Sequence, residues 1–215
     1  KSLGEGLAAN HINWVAGIIN GTGNYILTEM EQGGRAFQEV LEEAQSLGYA
    51  EADPTFDVEG VDAAHKLTII ASIAFGIPLQ FSKVYMEGIS RITIEDVKSA
   101  AQFGYRIKHL GIAKDTGHGI ELRVHPTLIP RETMLSAVNG VMNAIMIDGD
   151  AVGPTMFYGA GAGAEPWNLT CAKPSNVASC CWKAPRMPLP TSTMACISTP
   201  TSRTWNSSAT TTLTT

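Results

Sequence analysis

The hydrophobic period changes once along this chain, and that change limits the fold class. From Val61 the residues Val61, Ala64, Leu67, Thr68, Ile70, Ala71, Ala74 and Phe75 recur at three- and four-residue spacings, which predicts a helix over 61–75. Ala36 to Leu47 is a second amphipathic helix, with Phe37, Val40, Leu41, Ala44 and Leu47 as its buried stripe and Glu39, Glu42 and Glu43 facing water. From Tyr105 the period becomes that of strands: Tyr105 to Lys114, Ile120 to Ile129, Ala144 to Val152 and Thr155 to Gly159. Turns are expected at 115–119 and at Asp148-Gly149-Asp150, the Asp-Gly pair being a hairpin signal. Leu135 to Asn143 reads as a helix between strands. With an early apolar strand over Ile12 to Ile19, the expectation is an α+β fold: one mixed β-sheet with helices packed on one face.

Local signals place the ends of several elements. Ser2 to Asn10 reads as the end of a helix, so the chain looks like a fragment that starts inside an element. Asn20-Gly-Thr-Gly-Asn24 is a turn leading into a helix through Tyr25, Ile26 and Met30. Gly48 stops the second helix, and Gly76-Ile77-Pro78 stops the helix from Val61. Thr93 is expected to cap Ile94 to Phe103, with Asp96 completing a capping box.

Composition divides the chain near Pro166. All 20 Asp and Glu lie at or before Glu165, against 11 of the 15 Lys and Arg, so residues 1–165 carry −9 and the remainder +4. All four cysteines (Cys171, Cys180, Cys181, Cys196) fall in the remainder, with no paired spacing for zinc or for a disulfide framework. Residues 166–215 are rich in Thr, Ser and Pro and show no period, as in a disordered or out-of-frame tail. An unbroken reading frame in the coding DNA would refute the out-of-frame origin. The net charge of −5 gives no reason to expect nucleic acid, and no apolar run reaches membrane-span length. With no secretory leader pattern, a cytoplasmic location is expected.

The chemistry concentrates between Gly48 and Lys66. Glu51, Asp53, Asp57, Glu59 and Asp62 crowd a loop marked by Pro54 and Gly60, and Asp62 and Lys66 sit i and i+4 at the start of a helix. Such a pair is most often a solvated salt bridge, and acidic residues before a helix also suit its dipole. The other reading is a grip on a small polar molecule carrying an amino group and an oxygen. The Asn20–Asn24 turn has the same two readings: glycines for positive φ, or backbone N–H groups at a helix start that contact a ligand. His11, His65, His109, His118 and His125 lack metal-ligand spacing and read as surface or loop histidines; no metal site is expected. Gly159-Ala-Gly-Ala-Gly163 follows a strand, but Pro166 comes too soon for a fingerprint helix, so it is weak as a dinucleotide motif.

Three separated segments carry a specific resemblance. Gly48-Tyr-Ala-Glu51-x-Asp53-Pro54 followed by Asp57, Gly60, Asp62 and Lys66 resembles the substrate-binding segment of homoserine dehydrogenases. Asn20-Gly21-Thr22-Gly-Asn24-Tyr-Ile-Leu27 and the glycine run at 159–163 resemble two further segments of that family, in the same order. The resemblance implies a catalytic and dimerisation domain over residues 1–165 that interconverts L-homoserine and L-aspartate 4-semialdehyde. It implies NADP or NAD as cofactor, mostly bound by a nucleotide domain absent from this chain, and a homodimer. Lys66 matches the family's proton donor and Asp62 its catalytic neighbour. Glu51, Asp57, Asp62, Thr22 and Gly21 match substrate-binding positions, while Gly48 and Gly161 are expected at the cofactor. The competing expectation is a module that dimerises and has no turnover by itself. Apolar alternation in Ile120–Val124 and Ala144–Ile147 is the expected source of the dimer surface.

Overall fold

The computed structural model describes residues 2–161; the expectations for Gly163 and for the tail from Pro166 lie outside them. Six strands form one sheet in the order β2-β4-β3-β1-β5-β6. They are β1 (Ile12–Ile18), β2 (Tyr85–Met86), β3 (Tyr105–Asp115), β4 (Ile120–Pro130), β5 (Met142–Gly149) and β6 (Gly153–Ala160). Every pairing is antiparallel except the short β2–β4 contact, which is parallel. The helices are α1 (Gly21–Gly33), α2 (Phe37–Ser46), α3 (Thr55–Val58), α4 (Val61–Phe75) and α5 (Ile94–Gln102). The expected helix at the start is a π-helical turn over Ser2–Gly6.

Helix α4 lies on one face of the sheet. Its Ala63, Ala64, Leu67 and Ala71 pack on Ile19, Ala113, Leu122 and Val124. Three alanines among those four contacts let the helix approach closely, and Leu67, 1% exposed, contributes about 2 kcal/mol of burial. Helices α1, α2 and α5 build a second core around Ile26, Met30, Val40, Leu41 and Val97, in which Ile107 is the partly buried sheet residue packed against them. Thr93 caps α5 in a reciprocal capping box with Asp96, as expected.

Four sequence expectations are corrected. First, 135–143 is not a helix: only Met134–Ala137 forms a 3-10 turn, and residues 138–142 form a strap that turns at Gly140 and Val141, Gly140 having φ +62°, before entering β5. Second, Asp148 and Gly149 stay in the β5–β6 ladder, and the chain turns at residues 150–152. The N-terminal segment fixes that turn: Asn10 Oδ1 accepts from Ala151 N and Val152 N, and His11 N donates to Asp150 Oδ1 at 2.9 Å. Third, His109 is buried, and its Nε2 lies 2.9 Å from the Glu87 carbonyl, so it is a core histidine. Burial holds its pKa below the ordinary imidazole value. Fourth, Leu122, Val124, Ile145 and Ile147 point into the core on the α4 side and supply no open surface. The opposite face carries Trp14, Ile112, Met142, Met146 and Met156, all partly buried, around a small core that includes Leu110, Leu135 and Val138.

The strap is held from beneath by one amide and one buried lysine. Asn24 of α1 shares the two Nδ2 hydrogens among the carbonyls of Val138, Gly140 and Met142, at 3.2, 3.0 and 3.1 Å. Lys108 of β3, 1% exposed, donates to Asn24 Oδ1 at 3.0 Å, to the Val138 carbonyl at 2.6 Å and to Asn139 Oδ1 at 3.3 Å. These acceptors are uncharged, so they satisfy the ammonium's donors without neutralising its charge. Burial lowers the Lys108 pKa to about 8; Arg106 adds to the shift and Glu31 opposes it.

Two outcomes follow from this packing. Gly60, the residue before α4, has φ +82°, and a Cβ there would stand 2.9 Å from His109 Cε1 and from Val124 Cγ1. Gly60→Ala is expected to cost about 2–4 kcal/mol in urea unfolding, combining left-handed strain with overpacking; a loss under about 1 kcal/mol would mean the loop relaxes. Lys108 is charged at a penalty below its folded pKa of about 8. Between there and its unfolded pKa of about 10.4 the unfolded chain binds the extra proton, so stability rises with pH, by at most about 3 kcal/mol. Melting curves from pH 7.5 to 10 should show this rise in the native chain and lose it in Lys108→Met.

Candidate active site

The site forms where β1 ends and α1 and α4 begin. Asn20 follows β1 and caps α1: its Oδ1 accepts from Gly23 N at 2.8 Å. Its Nδ2 faces the other way and donates to Asp57 Oδ1 at 2.7 Å and Asp62 Oδ2 at 2.9 Å. The acidic loop and the helix start are thus drawn to a single amide. Asp62 Oδ2 also accepts from Lys66 Nζ at 2.6 Å, and the same ammonium donates to the Ile19 carbonyl at 3.1 Å. The i,i+4 spacing seen in the sequence therefore closes as an ion pair, turned toward the end of β1, with Lys66 half-exposed.

The loop before Asp57 is tied to the same corner. Thr22 Oγ1 donates to the Tyr49 carbonyl at 2.7 Å, and the Tyr25 and Tyr49 rings meet edge-on at 5.1 Å. Glu51 is exposed; its backbone carbonyl accepts from Gln45 Nε2 at 3.0 Å, and its carboxylate has no hydrogen bond or ion pair among the described residues. Gly21 has a steric role: a Cβ there would lie 2.8 Å from the Val141 carbonyl, so backbone packs on backbone. Asp57, Asp62 and Lys66 are thereby joined through Asn20, and Thr22, two residues along the chain, is tied to Tyr49, whereas Glu51 takes part in neither set of hydrogen bonds. Asn20 was absent from the expected site residues. Its signal was present, since Asn before a helix is a capping residue, but only the fold shows the far side of its amide meeting two carboxylates.

The two glycines expected at the cofactor differ. Gly48 follows α2, its amide donating to the Gln45 carbonyl, and a Cβ there would meet open space. Gly161 lies against Asn143, whose Nδ2 would be 2.3 Å from an added Cβ. Asn143 Oδ1 is buried with no partner among the described residues. A groove of about 610 Å³ between α5 and the β3–β4 hairpin, lined by Phe103, Tyr105 and Leu128 among others, includes none of these site residues.

Comparison with known proteins identifies the family. Residues 1–168 match the homoserine dehydrogenase family model. The homoserine dehydrogenase of Pseudomonas aeruginosa is 70% identical over 166 residues, covering 77% of this chain and 38% of that protein. The crystal structure of a homoserine dehydrogenase from Thiobacillus denitrificans superposes with a TM-score of 0.76 at 66% identity, over 77% of this chain and 38% of that one. A hyperthermophilic archaeal homoserine dehydrogenase mutant, solved in complex with NADPH, gives 0.63 at 27% identity over 75% and 46%. The chain thus spans about 38% of the length of these bacterial relatives. On the match of residues 1–168 to its model, and with the six-stranded α+β sheet that the solved relatives share, the chain belongs to the homoserine dehydrogenase family.

Proposed function

We infer that this chain supplies the substrate-binding half of an enzyme interconverting L-homoserine and L-aspartate 4-semialdehyde. The observation that carries the reading is the Asp62–Lys66 pair, held by Asn20 and the Ile19 carbonyl at the end of β1. Lys66 Nζ has three N–H donors and two partners among the described residues, which leaves one donor for a substrate oxygen. In the reducing direction Lys66 gives that oxygen a proton as the carbonyl carbon gains a hydride; in the oxidising direction the hydroxyl proton returns to the amine. Asp62 keeps the ammonium aimed, and Asp57 and Glu51 receive the substrate's amino group. Thr22 and Gly21 line the pocket, Thr22 by fixing the loop through Tyr49.

NADP or NAD, when bound, supplies or accepts the hydride. The Gly161 end of β6 suits such a group: a side chain there would have to displace the Asn143 amide, and the buried Asn143 Oδ1 has no donor among the described residues, one that a ligand amide could provide. Gly161 and Asn143 would hold it, with Gly48 bordering the site. Residues 1–165 are read as one catalytic domain, and most dinucleotide contacts as lying in another part of the protein.

NADPH oxidation with aspartate semialdehyde, assayed in the full-length protein carrying this segment, tests the reading. Lys66→Ala should lower kcat by about 10²–10⁴-fold, the scale of a lost general acid, with nucleotide affinity little changed. A loss below about threefold would reduce Lys66 to a salt-bridge partner. In the opposite direction, followed as NADP reduction with homoserine, Glu51→Gln should raise KM for homoserine while the fold survives, since an exposed loop carboxylate carries little packing.

The second face of the sheet supports a homodimer. Trp14, Ile112, Met146 and Met156 form an apolar band on it, extended by Tyr158, which is 59% exposed. A second copy of the same face would bury the band in a two-fold interface. Light scattering should give twice the chain mass, and Met156→Asp should shift it toward monomer; a monodisperse native monomer refutes the dimer.

A further inference from the structure

The geometry points to Lys108 as a positioning residue for the homoserine site, acting through the 138–142 strap and Asn24 on the Asn20–Gly21 corner. This rests on the reading of the Asp62–Lys66 end of β1 as the place where substrate binds.

Lys108 makes no contact with Asp57, Asp62 or Lys66, and the reaction described above does not use it. Its three donors end on Asn24 Oδ1, the Val138 carbonyl and Asn139 Oδ1, so one side chain joins α1 to both the start and the bend of the strap. Asn24 Nδ2 then takes three strap carbonyls, those of Val138, Gly140 and Met142. The strap's Gly140 N–H donates in return to Thr28 Oγ1 at 3.1 Å, one turn further along α1. The strap is therefore set against the first two turns of α1, and not merely laid over the sheet.

What the strap touches next is the site. The Val141 carbonyl sits where a Cβ on Gly21 would be 2.8 Å away, a contact between two backbones with no side chain to absorb movement. Gly21 is bonded to Asn20, whose amide holds Asp57 and Asp62, and Asp62 holds Lys66. A continuous series of contacts thus runs from Lys108 to the Lys66 ammonium. Backbone displacement at Val141 is passed to the α1 N-terminus, because close-packed contacts of this kind shift together. Removing the Lys108 donors leaves Asn24 Oδ1 and Asn139 Oδ1 without a donor among the described residues and takes one of the two donors from the Val138 carbonyl, so the strap shifts to regain water or other donors.

The test is Lys108→Met in the full-length protein carrying this segment, assayed with homoserine and NADP. Expected is a fall in kcat/KM for homoserine of about tenfold or more, while KM for NADP stays within about twofold. Lys108→Arg, which keeps a cation and several donors, should recover more activity than Met does. Hydrogen exchange distinguishes positioning from general loosening: the Gly140 and Gly23 amides should open faster while the centre of α4 keeps its native protection. A folded Lys108→Met enzyme with homoserine kinetics within about twofold of the native protein overturns the proposal. If the Met variant does not fold, Lys108→Gln is judged by the same limits. In the native enzyme homoserine should slow exchange at Gly140 as well as at Gly23; slowing at Gly23 alone also overturns it. A native protein that neither turns over nor shows any exchange response to homoserine fails the functional reading instead, and the exchange pattern of the Lys108 variants then decides positioning by itself.

Discussion

A single primary amide holds two carboxylates and a helix terminus in one place. Two acidic side chains side by side repel each other, and helix α4 begins with one of them. Asn20 Nδ2 supplies a donor to each, and the Lys66 ammonium adds a positive charge on the Asp62 side. The other end of the same amide completes the first turn of α1. Asn20 can do this because β1 delivers it into a buried corner, where an unshared hydrogen bond is costly. An aspartate in its place would cap α1 equally well but would add a third negative charge where two are already crowded. The side chain's two different ends, acceptor and donor, are what let a helix start and an acidic loop meet.

Two lysines of the domain show how environment divides one chemistry into two roles. Lys66 is half-exposed, paired with Asp62 and open on one side. Lys108 is enclosed by neutral oxygens, where its charge is disfavoured and its hydrogen bonds are fully directed. The first can exchange a proton with something that enters; the second can only hold what surrounds it. Nothing in the residue type distinguishes them, and neither does spacing, since Lys108 lies in a strand that reads as plain alternation.

Where the sequence was legible, the controlling interactions were local. The bounds of α4, the capping box on α5 and the stop at Gly48 depend on neighbours within a turn or two, and the structure places them as expected. The failures share the opposite cause. Residues 135–143 have apolar side chains at helical intervals, yet the carbonyls of Val138, Gly140 and Met142 are taken by Asn24, more than a hundred residues earlier. The Asp148-Gly149 turn signal was overridden by Asn10 and His11 from the N-terminal end. His109 was misread because an imidazole carries no sign of which side of a strand it will face. At the site, the Asp62–Lys66 pair was visible as a spacing, whereas its alignment with Asn20 required β1 and α4 to be packed first.

Strand β1 comes first in the chain but lies inside the sheet, between β3 and β5. Trp14 faces Lys114 on one side and Asp148 on the other, so its neighbours are about a hundred residues and more away in sequence. During synthesis β1 therefore leaves the ribosome long before either flank exists, and one of its edges stays unpaired until Gly149 has been made. The corner that carries Asn20 inherits that delay. Such long-range closure is slow and leaves an apolar edge open to the wrong partner in the meantime. The position of the site at the end of this strand couples its completion to nearly the last step of the sheet's assembly, so a nascent chain halted before β5 would display the acidic loop and the start of α4 without the whole frame that orients them.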